Sequence, residues 1–266
     1  MNFRIGDYVT RKSHNNDILF EIIDIKEGII ILKGIDVRLL ADSDAADLVK
    51  CVQETDVYKN DRILTDKLVN SIALDRSEYF YLPGRILHID SDNNYLERCI
   101  KFYSELKVEA YGLNIDEENL ENEIIKKLNE YKPDILVITG HDAYFKNKGD
   151  KKNLDNYKNS KNFVAAVKKA REYENSQEKL IIIAGACQSN YEELIKAGAN
   201  FASSPKRTNI HALDPAIIAS SVSLSEKNRS IDLITMLEKT KYKTDGIGGI
   251  ITNGTMYVGY PRWIRN

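Results

Sequence analysis

The sequence predicts an α/β fold, with a mostly parallel sheet flanked by helices and preceded by a small N-terminal β-barrel-like domain. Three observations carry this reading. Beyond Pro83 and Gly84, strand-like apolar runs alternate with helical periods, the pattern of βαβ units. Two of those runs, Asp134 to Thr139 and Lys179 to Ala184, are continuously apolar, as strands buried on both faces must be. Residues 4 to 40 instead hold short β-branched runs separated by turn residues.

The first domain reads as strands at Asp7 to Thr10, Leu19 to Asp24 and Ile29 to Leu32, broken by Ser13, His14, Asn15, Asn16 and Asp17 and by Gly28. Gly34 to Asp47 is polar and acidic without a period, and Leu64, Leu68 and Ile72 then follow helical spacing in a connector. The expected divisions are 1–58 for the β-domain, 59–83 for the helical connector and 84–266 for the α/β domain. In the last, Arg85 to Asp90 is a strand, Asn94 to Lys107 a helix and Val108 to Leu113 a strand. Glu117 to Tyr131 is a helix, opened by Asp116 and Glu117 at its positive dipole end and closed by Pro133. Asp142 to Asn159 reads as an exposed loop, and Phe163, Val164, Val167 and Ala170 as the next helix. Tyr191 to Ala197 is a helix stopped by Gly198, Asn200 to Ser203 a short strand, and Ile250 to Val258 a hairpin turning at Asn253 and Gly254.

At 266 residues the chain is long for one ordinary domain and short for three. Its 38 basic and 40 acidic residues balance to a net charge of -2, which removes the electrostatic case for nucleic acid. No apolar run is long enough to span a membrane, and the N-terminus lacks the apolar core of a signal peptide, so a cytoplasmic chain is expected. Cys51, Cys99 and Cys187 are odd in number and far apart, against both a disulfide scaffold and a structural zinc site. No cofactor or metal is expected.

In an open parallel sheet, ligands gather at the carboxyl ends of the strands. His141 follows the run ending at Thr139 and Gly140, and Cys187 follows the run ending at Ala184, through Gly185 and Ala186. If the two strands are neighbours, the two side chains emerge on one rim as a candidate Cys/His dyad. A thiol with an ordinary pKa of about 8.5 is mostly protonated at neutral pH, and an imidazole beside it makes or stabilises the thiolate. The plainer alternative for a Cys between small residues is a buried hydrophobe. Cys99 reads as helix core and Cys51 as part of the connector, while His14 and His88 read as structural and His211, near Asn209 and Asp214, stays open.

Gly185, Ala186, Cys187, Gln188 and Ser189, with a His 46 residues upstream of the Cys, nearly reproduce the caspase signature. The segments Val137 to Tyr144, Ala184 to Tyr191 and Ala199 to Pro215 closely resemble the YabG family of sporulation-specific proteases of spore-forming Firmicutes. So do Gly6 to Lys12 and the later Lys33, Gly34, Asp36, Arg38, Leu39, Leu40 and Ala41. The resemblance implies a cysteine endopeptidase with a caspase-like sheet. Its substrates would be spore-coat and germination-related proteins, and it would act in the mother-cell cytoplasm at the forming coat. It further implies an oxyanion site made by the backbone amides of Cys187 and Asp142. Asp142 stands where such enzymes usually carry Gly, and Ser189 where they carry a second Gly; a backbone donor survives the first change provided the carboxylate points away.

Likeness to gingipain-type and YabG-type peptidases also implies cleavage after Arg, which a carboxylate in the pocket would receive. Asp90 and Asp92, at the end of the first α/β strand, are the leading acids, although Asp92 or Ser91 is equally suited to cap the next helix. Gln188, Ser203, Ser204 and Asp214 are further candidates for substrate binding, and Arg207 argues against an entirely acidic pocket. Two other readings remain. One is a glutamine amidotransferase-like Cys hydrolase, disfavoured because there the nucleophile precedes the His. The other is a non-catalytic α/β binding module, with Gly246, Gly248 and Gly249 as weak phosphate binders because they open no helix. Natural substrates and oligomeric state stay open.

Overall fold

Two principal sheets organise the chain, which a computed structural model describes over residues 3–262 except 27, 52–58, 73, 75 and 76. The first is antiparallel and is built from β1 (Tyr8–Arg11), β2 (Phe20–Lys26), β3 (Ile29–Gly34), β4 (Leu40–Asp44) and β5 (Leu48–Lys50), in the order β4-β3-β2-β1-β5. Val9, Phe20, Ile22, Ile30, Leu32 and Leu48 are its buried hydrophobic residues. Strand β4 corrects the expectation of irregular chain from Gly34 to Asp47. Its sequence, Leu-Ala-Asp-Ser-Asp, is too polar to show a period, but it is an edge strand whose backbone needs only β3 as partner. Helix α1 (Lys59–Asn70) is the connector, and the expected boundary at residue 58 falls within 52–58, outside the described residues.

After β6 (Phe80–Leu82) come β7 (Ile86–Asp90), α2 (Asn93–Glu105), β8 (Ala110–Asn114), α3 (Leu120–Tyr131), β9 (Ile135–Thr139), α4 (Ser160–Tyr173), β10 (Ile181–Ala184), α5 (Tyr191–Ala197) and β11 (Phe201–Ser203). Helix α6 (Asp214–Ser223), the short helices α7 (Leu233–Leu237) and α8 (Lys243–Gly246), and the strands β12 (Ile247–Gly249) and β13 (Tyr257–Gly259) complete the chain. The second sheet runs β12-β11-β10-β9-β7-β8, parallel throughout except for β12. This is the α/β arrangement the sequence predicts.

Every residue of β7, β9 and β10 is buried, and their side chains alternate between two cores. Ile86, Ile135, Val137, Ile181 and Ile183 join α2, α6 and the first sheet in one cluster. Leu87, Ile89, Leu136, Ile138 and Ile182 join α3, α4 and α5 in the other. Both faces of the sheet are thus covered by helices, as parallel strands require. The first sheet belongs to the core on the α2 face, and Arg98 of α2 ties the connector in, its guanidinium donating to both oxygens of Asp61 at 2.7 and 2.8 Å.

Two further expectations are corrected. Residues 250–258 do not form a hairpin, since Gly254, Thr255 and Met256 donate backbone hydrogen bonds to Arg229, Val222 and Ser225, and β13 pairs with β6. The Asn-Gly turn signal lost to the chain that follows α6. Helix α6 itself went unforeseen because Ala216, Ile217, Ile218, Ala219, Ser220, Val222 and Ser223 are all buried, so it carries no polar face and no amphipathic period.

Phe163 on α4 is fully buried among the α3, α5 and sheet side chains. Phe163→Ala should lower stability by about 3–5 kcal/mol in urea titration. A loss below about 1 kcal/mol would mean that this core is loosely packed.

Candidate active site

The parallel pairing of β9 with β10 puts Ile138 opposite Ala184, so the chain leaves both strands at the same rim. His141 and Cys187 each lie three residues beyond that pair. Gly185 lets the second exit turn: its φ is +106°, and a Cβ there would come within 2.8 Å of Leu194 Cδ1. The Cys loop is then fastened from both sides. Ser189 Oγ accepts from the Ala186 amide at 2.9 Å and donates to Asp142 Oδ2 at 2.9 Å. Ser204 Oγ accepts from the Gln188 amide at 2.9 Å and donates to the Thr208 carbonyl at 2.7 Å.

The His141 ring is oriented by Asp92, whose Oδ2 lies 3.0 Å from Nε2. A carboxylate accepts, so Nε2 carries the proton and Nδ1 is left as the basic nitrogen. Nδ1 is buried and has no hydrogen-bond partner among the described residues. The His141 backbone amide donates to Glu117 Oε1 at 2.8 Å, which fixes the loop that carries the ring. Asp92 has two more tasks. It caps α2 by accepting from the Asn94 and Tyr95 amides, and it pairs with Lys33 Nζ of β3 at 2.6 Å. Burial alone would raise its pKa, but the hydrogen bonds from His141 and Lys33 hold the carboxyl well below the usual range.

The Cys187 side chain is fully buried. Its Sγ accepts from the Ile210 amide at 3.2 Å. Burial pushes the thiol up to about 12, against the partial help of the backbone and the Arg38 charge. Among the described residues no hydrogen bond joins Sγ to the imidazole. Tyr95 borders the imidazole, its ring centroid 5.7 Å from that of His141. The backbone amides of Cys187 and Asp142 donate to no acceptor among the described residues. The Asp142 carboxylate is turned into the protein, accepting from Ser160, from the Asn159 amide at 2.8 Å and from Ser189. Burial raises its pKa.

Asp90 lies at the same rim, fully buried, and receives the guanidinium of Arg38 from the first sheet. Thr139 Oγ1 donates to its Oδ2 at 2.7 Å and the Asp92 amide to its Oδ1 at 2.9 Å. Arg38 donates as well to the Ala212 carbonyl, at 3.1 Å from Nε and 2.9 Å from Nη2, and lies over the Tyr95 ring at 5.0 Å. Asp214 sits behind this turn, accepting from the His211 and Lys241 amides, and burial pushes it up to about 6. Gln188 Oε1 accepts from the Tyr144 amide at 3.3 Å, and Ser203 is buried at the end of β11. Arg207 is engaged elsewhere, with Glu192 and the Tyr157 hydroxyl.

The rim thus gathers Cys187, His141, Asp90, Asp92, Tyr95, Glu117 and Ala212. Arg38, Tyr95 and Glu117 were not singled out from sequence. Only Arg38 left a signal, as a lone cation between Val37 and Leu39.

A family model described as YabG peptidase U57 matches residues 4–261. The chain belongs to this family. The Sporulation-specific protease YabG of Bacillus subtilis (strain 168) is 41% identical over 286 residues, covering 98% of this chain and 99% of that one. Membership of the YabG family makes the chain a peptidase of sporulation, which acts on protein. The reading as a non-catalytic module is thereby overturned; Gly248 and Gly249 are strand residues paired with Ala202 and Phe201. Among the described residues no helix is long and apolar enough to cross a membrane, and no three His, Cys, Asp or Glu side chains are placed to hold a metal ion.

The thiolate is the reactive form, and burial penalises it, so alkylation of Cys187 by iodoacetamide should quicken about tenfold for each pH unit between 7 and 10. By the same sign, the buried thiol withdraws stability from the fold as pH rises past its ordinary value toward 12. Peptide mapping by mass spectrometry measures the rate, and a plateau below pH 8 would contradict a buried thiol.

Proposed function

We propose that this YabG-family chain is a cysteine endopeptidase in which Cys187 is the nucleophile and His141 its general base, cleaving after arginine. The observation that carries the proposal is the shared rim: β9 and β10 are parallel neighbours, and both side chains leave it at matched positions. Sγ attacks the scissile carbonyl carbon while Nδ1 of His141 takes its proton, and the amides of Cys187 and Asp142 donate to the oxyanion. The imidazolium returns the proton to the departing amine, leaving a thioester that water hydrolyses with His141 again as base. Asp92 is a positioning residue that fixes the tautomer. Asp90, with the Ala212 carbonyl and the Tyr95 face, forms the receptor for the substrate arginine, a reading supported by the guanidinium already seated there. Gln188, Ser203, Ser204 and Asp214 hold the walls of this site.

The relative's name supports a role in sporulation, and we take the substrates to be spore-coat and germination-related proteins, processed in the mother cell. Residues 1–58 act as a lobe docked on the 84–266 peptidase unit through the 59–83 connector, a division supported by the self-contained pairing of β1 to β5.

Cys187→Ala and His141→Ala should each abolish cleavage of a coat-protein substrate while circular dichroism stays unchanged, and activity in either folded variant sinks the dyad. Asp92→Asn should keep KM and lower kcat by about 10²-fold or more. For matched peptides with Arg, Lys, Asp or Asn before the scissile bond, kcat/KM should be highest for Arg and fall about 10²-fold in Asp90→Asn. Unchanged Arg selectivity in that variant rejects the pocket.

A further inference from the structure

The tip of the hairpin between β3 and β4, residues 35–39, packs against the stretch of chain that rests on Cys187. Its backbone lies antiparallel to the chain beyond β11: Val37 pairs with His211, the Arg38 amide donates to the Ile210 carbonyl at 3.1 Å, and the Ala212 amide donates to the Asp36 carbonyl at 3.0 Å. Ile210 is also the residue whose amide rests on Sγ of Cys187. A peptide extended along 210–212 therefore passes the nucleophile, as extended peptides do when they add to an unpaired edge. Arg38 is the one residue of that peptide whose side chain enters the Asp90 receptor, and it is fully buried there.

The tip is built to hold this pose. The Gly34 amide donates to the Leu39 carbonyl at 2.7 Å and the Leu39 amide to the Val37 carbonyl at 2.8 Å, closing a tight loop. The Tyr95 hydroxyl donates to the carbonyls of Gly34 and Val37. Lys33 of the same hairpin pairs with Asp92, the carboxylate that orients His141. A clamp between two lobes would need the ion pair alone. It would not need to line the chain beside the thiol or to share the carboxylate of the base.

We infer that residues 36–38 occupy the substrate cleft as an internal arginine-bearing peptide, so the chain as folded is latent until the hairpin tip withdraws. A preformed loop of this kind has little entropy left to lose, which favours it over any free peptide. The inference rests on the reading of Cys187 and His141 as the dyad, and its test separates the two.

The full chain is compared with Gly34→Ala and Arg38→Ala. A Cβ on Gly34 would come within 2.4 Å of the Val37 carbonyl oxygen, so Gly34→Ala displaces the tip without altering the side chains of Arg38, Asp90 or the dyad. Iodoacetamide alkylation of Cys187 reads access to the thiol whether or not the protein cleaves anything, and kcat/KM on a short acyl-Arg amide reads the cleft. Both rates should rise tenfold or more in each folded variant, with the gain in kcat/KM arising from a lower KM. Should Arg38→Ala fail to fold, Gly34→Ala decides alone. Folded variants within twofold of the parent in both rates overturn the inference, as does a parent chain alkylated as fast as its urea-unfolded form. Faster alkylation without peptide cleavage supports the occluding tip and sinks the dyad.

Discussion

The pair formed by Arg38 and Asp90 is the contact on which the rim depends. Two opposite charges removed from water can persist only if each finds full compensation, and removing one partner of such a pair costs about 3–5 kcal/mol. Here the compensation extends beyond the pair. Thr139 donates to Asp90, His88 Nε2 lies 2.8 Å from Thr139 Oγ1, and His88 Nδ1 lies 2.9 Å from the Tyr103 hydroxyl. Burial depresses the His88 imidazole to about 3, so it stays neutral and adds no second charge to the chain of bonds. Burial works against the Arg38 charge as well, yet Asp90 together with Cys99 and Tyr95 holds its pKa above the ordinary value. The first sheet, α2, β7 and β9 are therefore joined by a polar thread that runs through the core.

That thread also separates what the sequence displays from what it hides. The strands β7, β9 and β10 are legible because burial on both faces forces continuous apolar residues, and the exits at His141 and Cys187 follow from strand order alone. Asp92 is legible as the cap of α2, a role it fills, and its other reading is as an acid for the substrate arginine. Neither description says that it orients the His141 ring. That role depends on β7 and β9 being neighbours, which local pattern does not encode.

Arg38 shows the limit most clearly. Its setting between Val37 and Leu39 marks it only as a lone cation, since the residues that bury it, Asp90, Tyr95, Cys99 and Ala212, lie 52 to 174 positions away. Helix α6 is hidden for the opposite reason: it is buried nearly all round, so its residues carry no contrast between faces. The turn expected at Asn253 and Gly254 has a strong local signal, and that signal yields to the pairing of β13 with β6.

Asp92, shared by Lys33 and His141, links the seating of the first sheet to the orientation of the imidazole. The coupling needs no movement of the large sheet, because a single carboxylate transmits it. Any free energy with which the seated hairpin steadies the ring is, by reciprocity, the free energy with which a ring held in place favours the seated hairpin.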